Sequence, residues 1–278
     1  MFTEVQVTIL LTALKSGAPK LTHVIPAQGR DSVSAVTSLG NEVFVLRQNS
    51  QQVEVYDAST FTLQRNITVP GLGRWSRGLA ACDYEHDSIH RAELSGSNAV
   101  KKWSVGSGQR GLSVNKEHNV VVACRRADKI QEYTTYGALV REISLQQAGV
   151  KRPWHAVQLS TGDYVVSDWD SPGVVSVVGI DGRVVHRYCP SWSSDLGKMN
   201  HPSGLALTKN DDILVADACN SRILLVNSSL SSARKLALPV DDEIQSPWGL
   251  CLDESRGRLY VGESGGNYRV LVFDRVWL

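Results

Sequence analysis

No apolar run in this chain reaches the roughly 18–20 residues that a membrane-crossing helix needs. The longest apolar-rich stretch, Val5 to Leu14, is broken by Gln6, Thr8 and Thr12. Glu4 is the only charge ahead of it, which argues against a signal peptide. An excess of one charge is also missing: 29 Lys and Arg face 28 Asp and Glu, for a net +1. That excludes a polycation coating nucleic acid by bulk charge, and no DNA partner is expected. Cysteines number five (Cys82, Cys124, Cys189, Cys219 and Cys251), and no two have CxxC spacing. An odd count without that spacing argues against a disulfide framework or a structural zinc site. Reduced thiols point to a cytoplasmic protein. Two sequons, Asn66-Ile67-Thr68 and Asn227-Ser228-Ser229, point the other way. Helical periodicity is absent outside residues 1–16. What is present is an ordinary globular composition, 42% hydrophobic and 21% charged.

It is also repetitive. The phrases Arg77-Gly78-Leu79-Ala80, Arg110-Gly111-Leu112-Ser113, Trp154-His155-Ala156-Val157, Ser203-Gly204-Leu205-Ala206 and Trp248-Gly249-Leu250-Cys251 recur, with a weaker copy at Val33-Ser34-Ala35-Val36. From Ser34 through Gly78, Gly111, His155, Gly204 and Gly249 the steps are 44, 33, 44, 49 and 45 residues. Each unit continues with short β-rich runs bounded by Gly, Asn, Asp and Ser, as in Ile213–Asp217 and Ile223–Val226. Four short strands per unit, six times over, predict an all-β, six-bladed β-propeller over residues 17–278, with 1–16 as an N-terminal extension. The last unit has only three strands. The segment Lys20–Ile25 reads as a spare fourth strand that closes the ring onto it.

The 33-residue step is too short. From the phrase to the third strand there are 19 residues in the first, third and fifth units and 11 in the second, Gly78 to Ile89. The second blade is therefore expected to be incomplete, lacking its second-strand motif, with Leu79–Tyr84 or Glu85–Ile89 displaced.

His201-Pro202-Ser203-Gly204-Leu205-Ala206-Leu207, followed by Ile213–Asp217 and Asn220-Ser221-Arg222-Ile223, resembles an NHL repeat. Trp248-Gly249-Leu250, Leu259–Glu263 and Asn267–Val270 make a second match. The resemblance extends to about residues 19–274 and is similar to the NHL propellers of tripartite-motif (TRIM-NHL) proteins. Those propellers read RNA or protein partners on one face, in some cases choosing substrates for a ubiquitin ligase. The resemblance implies a non-enzymatic recognition module without a cofactor, acting as a monomeric propeller.

That face is built from loops leading into the innermost strands and loops between second and third strands. Residues 70–160 carry 13 basic and 8 acidic residues, whereas 161–278 carry 11 and 15. The basic half interleaves tryptophans. Arg77, Arg110, Arg125, Arg126 and Arg152 are the candidates for phosphate or carboxylate contacts, and Trp75, Trp154 and Trp169 for stacking. His201 and Trp248 fall in loops of the same kind. The alternative is a lactonase-like (gluconolactonase- or paraoxonase-type) metallohydrolase, with a channel cation held by Asp168, Asp217, Asn220 and Glu263. No nucleophile elbow, Walker loop or dinucleotide fingerprint is present.

Overall fold

The computed structural model describes residues 17–27, 29, 31–48, 50–69, 80–83, 87–92, 100–106, 108–170, 172–188, 196–240 and 244–278, with backbone alone for 80–83 and 92. The expectation of residues 1–16 as an extension lies outside the described residues. The N-terminal strand β1 (Lys20–Ile25) is followed by β2 (Val33–Leu39), β3 (Glu42–Arg47), β4 (Gln52–Asp57) and β5 (Leu63–Thr68). Next come β6 (Ala80–Asp83), β7 (Ser88–Ala92) and β8 (Val100–Ser104). The third unit holds β9 (Gln109–Val114), β10 (Val120–Cys124), β11 (Lys129–Tyr133) and β12 (Leu139–Ser144). The fourth holds β13 (Pro153–Gln158), β14 (Tyr164–Asp168), β15 (Val174–Val178) and β16 (Val184–Tyr188). The fifth holds β17 (Pro202–Leu207), β18 (Ile213–Asp217), β19 (Arg222–Val226) and β20 (Ala233–Lys235), and the last β21 (Pro247–Asp253), β22 (Arg258–Glu263) and β23 (Val270–Asp274). No helix among the described residues is long and apolar enough to cross a membrane.

The protein is an all-β propeller. Its sheets are antiparallel meanders, and β1 pairs with β23 as the fourth strand of the last one. The expected ring closure by the N-terminal strand is present. Among the described residues five sheets are four-stranded blades, rather than the expected six; the sheet of the second unit has three described strands, β6-β7-β8.

The shortfall lies elsewhere than the spacing suggested. Asp83 pairs with Ser88 as Cys124 pairs with Lys129 and Asp217 with Arg222, each across five residues. Asp87 and Asp128 precede β7 and β11 with the same positive φ, 44°. The Val105 N–H bonds Asp87 O as the Leu145 N–H bonds Asp128 O. Strands β6, β7 and β8 therefore occupy the second, third and fourth places of a blade. Among the described residues the second place is therefore filled and the first, innermost place holds no strand. A strand present at the second place keeps the later ones in phase, whereas its loss would have reversed them.

Alternation along each strand sends its apolar residues into the layers between sheets. Val157, Val165 and Val177 of the fourth blade pack on Leu205, Val215 and Leu224 of the fifth. Leu214 and Ile223 then meet Leu259, Val261 and Phe273. Ile25, Tyr260 and Val272 meet Val36, Val43 and Val45 across the closure. Val100 is the described residue of the three-stranded sheet that reaches the first blade's core of Phe44, Leu46 and Val53.

The recurring glycine has a local cause. Innermost strands pack backbone to backbone around the axis. A Cβ at Gly111 would lie under 3.0 Å from Trp154 O and His155, and one at Gly204 under 3.0 Å from Trp248 O. Pro153, Pro202 and Pro247 open their strands, where a missing N–H breaks no ladder.

Candidate functional site

Each innermost strand starts, and each second strand ends, on one face of the ring. Loops of four successive units meet there. Trp154, at the start of β13, stacks on Trp169, just past β14, with centroids 4.2 Å apart and planes at 21°. Trp248 of β21 meets both edge-on, at 5.0 and 4.9 Å. His201, at the head of β17, packs edge-on against Trp169 at 4.7 Å, and its Nδ1 lies 2.6 Å from Asn200 Oδ1. From the third blade, the guanidinium carbons of Arg110 and Arg125 lie 5.2 and 5.8 Å from the Trp154 ring centroid. Such cation–aromatic contacts contribute about 0.5–2 kcal/mol each, more as water is excluded.

Arg110, Arg125, Trp154 and Trp169 thus converge. Arg152 rims the cluster, 3.9 Å from Asp170, with both side chains about half exposed. Arg126 is exposed and covers Gly108. Trp75 and Arg77 lie outside the described residues. Trp154 is only 4% exposed, so its own faces are taken. The partly exposed rings are Trp169, Trp248 and His201. Trp248 and His201 belong to the cluster although the proposed stacking set omitted them. Their positions beside the repeated phrase were the available signal.

Beneath the cluster the channel narrows to a cavity of about 90 Å3 lined by Ser34, Trp154, His155, Trp248 and the anchor glycines. His155 ties the wall together. Its Nδ1 accepts the Leu205 N–H at 3.0 Å, so Nε2 carries the proton and donates to Leu112 O at 2.9 Å. Both ring nitrogens are thereby engaged, and His155 is a structural link among three blades.

The three carboxylates among the alternative metal ligands sit one per blade, with Asn220 beside Asp217 in the fifth, and all four side chains are occupied. Asp217 accepts the Asn200 N–H, Asn220 Nδ2 and Arg222 Nε at 2.7–2.8 Å. Glu263 accepts the Gln245 N–H and Arg269 Nε. Asp168 accepts the N–H groups of Lys151 and Arg152. Burial pushes the Asp168 carboxyl upward, and those two N–H bonds only partly offset it. These carboxylates clamp a leading loop onto the end of the second strand. Among the described residues no group of three metal-ligating side chains comes together. Cys124, adjacent to Arg125 and Arg126 in sequence, is buried, and burial pushes its thiol up to about 12. It is held as an unreactive thiol.

Residues 199–224 and 245–273 match the NHL repeat, so the chain carries NHL repeats. No curated protein sequence matches it. Among solved structures, virginiamycin B lyase from Staphylococcus aureus is similar at a TM-score of 0.67 and 10% identity, covering 92% of this chain and 99% of that one. A streptogramin B lyase matches at 0.66 and 11%, covering 93% and 99%. Hydrazine synthase of Kuenenia stuttgartiensis matches at 0.62 and 15%, covering 91% and 97%. At such identities the likeness is one of fold. It nonetheless overturns the expectation that the chain is not an enzyme: the lyases share this architecture over nearly their whole length, and they are enzymes.

Proposed function

We propose that the chain is a recognition propeller that takes RNA or an acidic protein segment on the tryptophan–arginine face. The observation that carries this is the convergence of Arg110, Arg125, Trp154 and Trp169 from separate blades, joined by Trp248 and His201. Unpaired RNA fits it first. Guanidinium groups suit phosphates, and partly exposed indole and imidazole rings offer stacking to bases. The protein segment is the second reading, favoured by the burial of Trp154, which reduces the stacking surface. In this reading the three-stranded sheet fills one of six places in the ring. The binding mode is that of TRIM-NHL propellers, and the protein works as a cytoplasmic monomer.

The test is binding of labelled single-stranded RNA pools and of acidic peptides. Two phosphate contacts, from Arg110 and Arg125, imply about sevenfold weaker RNA binding for a fourfold rise in salt. Arg110→Glu with Arg125→Glu should abolish that slope. Trp169→Ala should weaken binding about 5- to 150-fold, the value of one lost stack. RNA binding that ignores salt and the arginines ends the RNA reading, and peptide capture by the same residues selects the second. Neither ligand bound ends both.

A further inference from the structure

At the far end of β11 from Arg125, on the opposite face, lies a second basic and aromatic surface. Arg91 of β7 and Lys101 of β8 are directly opposed cross-strand partners. Like charges so placed are destabilising. Lys102 follows, exposed. None of the three forms an ion pair with a carboxylate among the described residues. Over Arg91 and Lys101 sits Tyr136, 77% exposed, with Lys101 Nζ 4.8 Å and Arg91 Cζ 6.0 Å from its ring centroid.

The arrangement is braced by backbone contacts. Arg91 Nη1 donates to Thr135 O at 3.1 Å. The β11–β12 turn is braced by Thr134, whose Oγ1 accepts the Ala138 N–H at 3.1 Å and whose carbonyl accepts the Gly137 N–H. Gly137, at φ +90°, lies so close to Trp103 that a Cβ would come under 3.0 Å from its ring. Two cations are thus held beside an open aromatic ring. Next to them runs β12, the outermost strand of the third blade, with Leu139 and Val140 exposed and its outer edge without a strand partner among the described residues.

We propose that this seam between the three-stranded sheet and the third blade docks an extended, acidic segment of another protein. The cations select carboxylates, Tyr136 with Leu139 and Val140 takes an apolar side chain, and the β12 edge supplies backbone hydrogen bonds. Exposed aliphatic side chains in place of further stacking rings favour a polypeptide over a nucleic acid. This proposal stands independently of the tryptophan face.

The experiment measures anisotropy of a fluorescein-labelled peptide of alternating glutamate and valine, with polyuridylate as competitor, alongside thermal melts. Lys101→Glu should weaken peptide binding about tenfold or more. The same change should raise the melting temperature, because it turns an opposed like pair into an attractive one. Tyr136→Ala should weaken the peptide without unfolding the blade. Arg183→Glu, in the equivalent exposed turn of the fourth blade, should leave peptide affinity unchanged. The proposal is overturned if the peptide does not bind, if Lys101→Glu leaves its affinity unaltered or lowers the melting temperature, or if polyuridylate displaces it.

Discussion

Three equivalent glycines give a sharp internal control on the packing argument. Gly111, Gly204 and Gly249 hold the same place in the innermost strands of the third, fifth and last units, and none has positive φ. An added Cβ has no backbone penalty there, so only space decides. At Gly204 the obstacle is the carbonyl oxygen of Trp248, under 3.0 Å away, which belongs to a paired strand and cannot rotate aside. At Gly249 the nearest atoms, in Ala35 and Val36, are at 3.4 Å, an ordinary contact. Overpacking a rigid site costs about 1–3 kcal/mol. Alanine in an uncrowded site gains about 0.4–1 kcal/mol by restricting the unfolded chain. For a domain of this size each kcal/mol moves the melting temperature by about 2–4 °C. Gly204→Ala should therefore melt about 2–12 °C below the parent, with Gly111→Ala close to it. Gly249→Ala should melt level with the parent or about 1–4 °C above it. Differential scanning calorimetry separates these ranges. Equal melting of all three variants would show that the repeated glycine answers to something other than the approach of neighbouring backbones.

Arg47 is 2% exposed and bonds Glu54 together with the carbonyls of Tyr268 and Pro26, joining first blade, closing blade and β1. Arg47→Met leaves a buried carboxylate alone and should cost about 3–5 kcal/mol in urea unfolding; a loss below about 1 kcal/mol contradicts that role. Glu132 is pushed up by burial, but hydrogen bonds from Tyr164, Asn119 and Asn115 and the charge of Arg141 outweigh this and hold its carboxyl below the ordinary 4.5. A depressed carboxylate stabilises the fold above its unfolded pKa, and that stabilisation disappears as pH falls through the folded one. The stability gap between parent and Glu132→Gln should thus be full at neutral pH and shrink on acidification below 4.5; a gap independent of pH refutes it.

The propeller was legible because its units are short and its strands alternate, so a recurring phrase, with glycine at four of its six copies, marked every unit. The closing role of β1 could be read from a strand left over at one end and a unit short of one at the other. Spacing alone misplaced the defect in the second unit. It measured a deficit without placing it, and only the pairing of Asp83 with Ser88 shows that the second place is filled. The basic–aromatic face was partly legible, since loop positions follow from the repeat. That Trp154 would be covered by Trp169 and two guanidiniums depends on distances between blades, which no local pattern encodes. The proposed metal ligands misled for a related reason. A carboxylate ending a strand looks the same in sequence whether it holds a cation or a neighbour's backbone N–H.

The bond from Thr22 Oγ1 to Val272 O joins residues 250 apart. β1 therefore leaves the ribosome ahead of every other described strand and pairs with the last of them, β23. At about 5–20 residues per second, β1 waits some tens of seconds for β23. Until then the nascent chain carries the raw edge of a sheet, and the ring closes only once β23 has emerged.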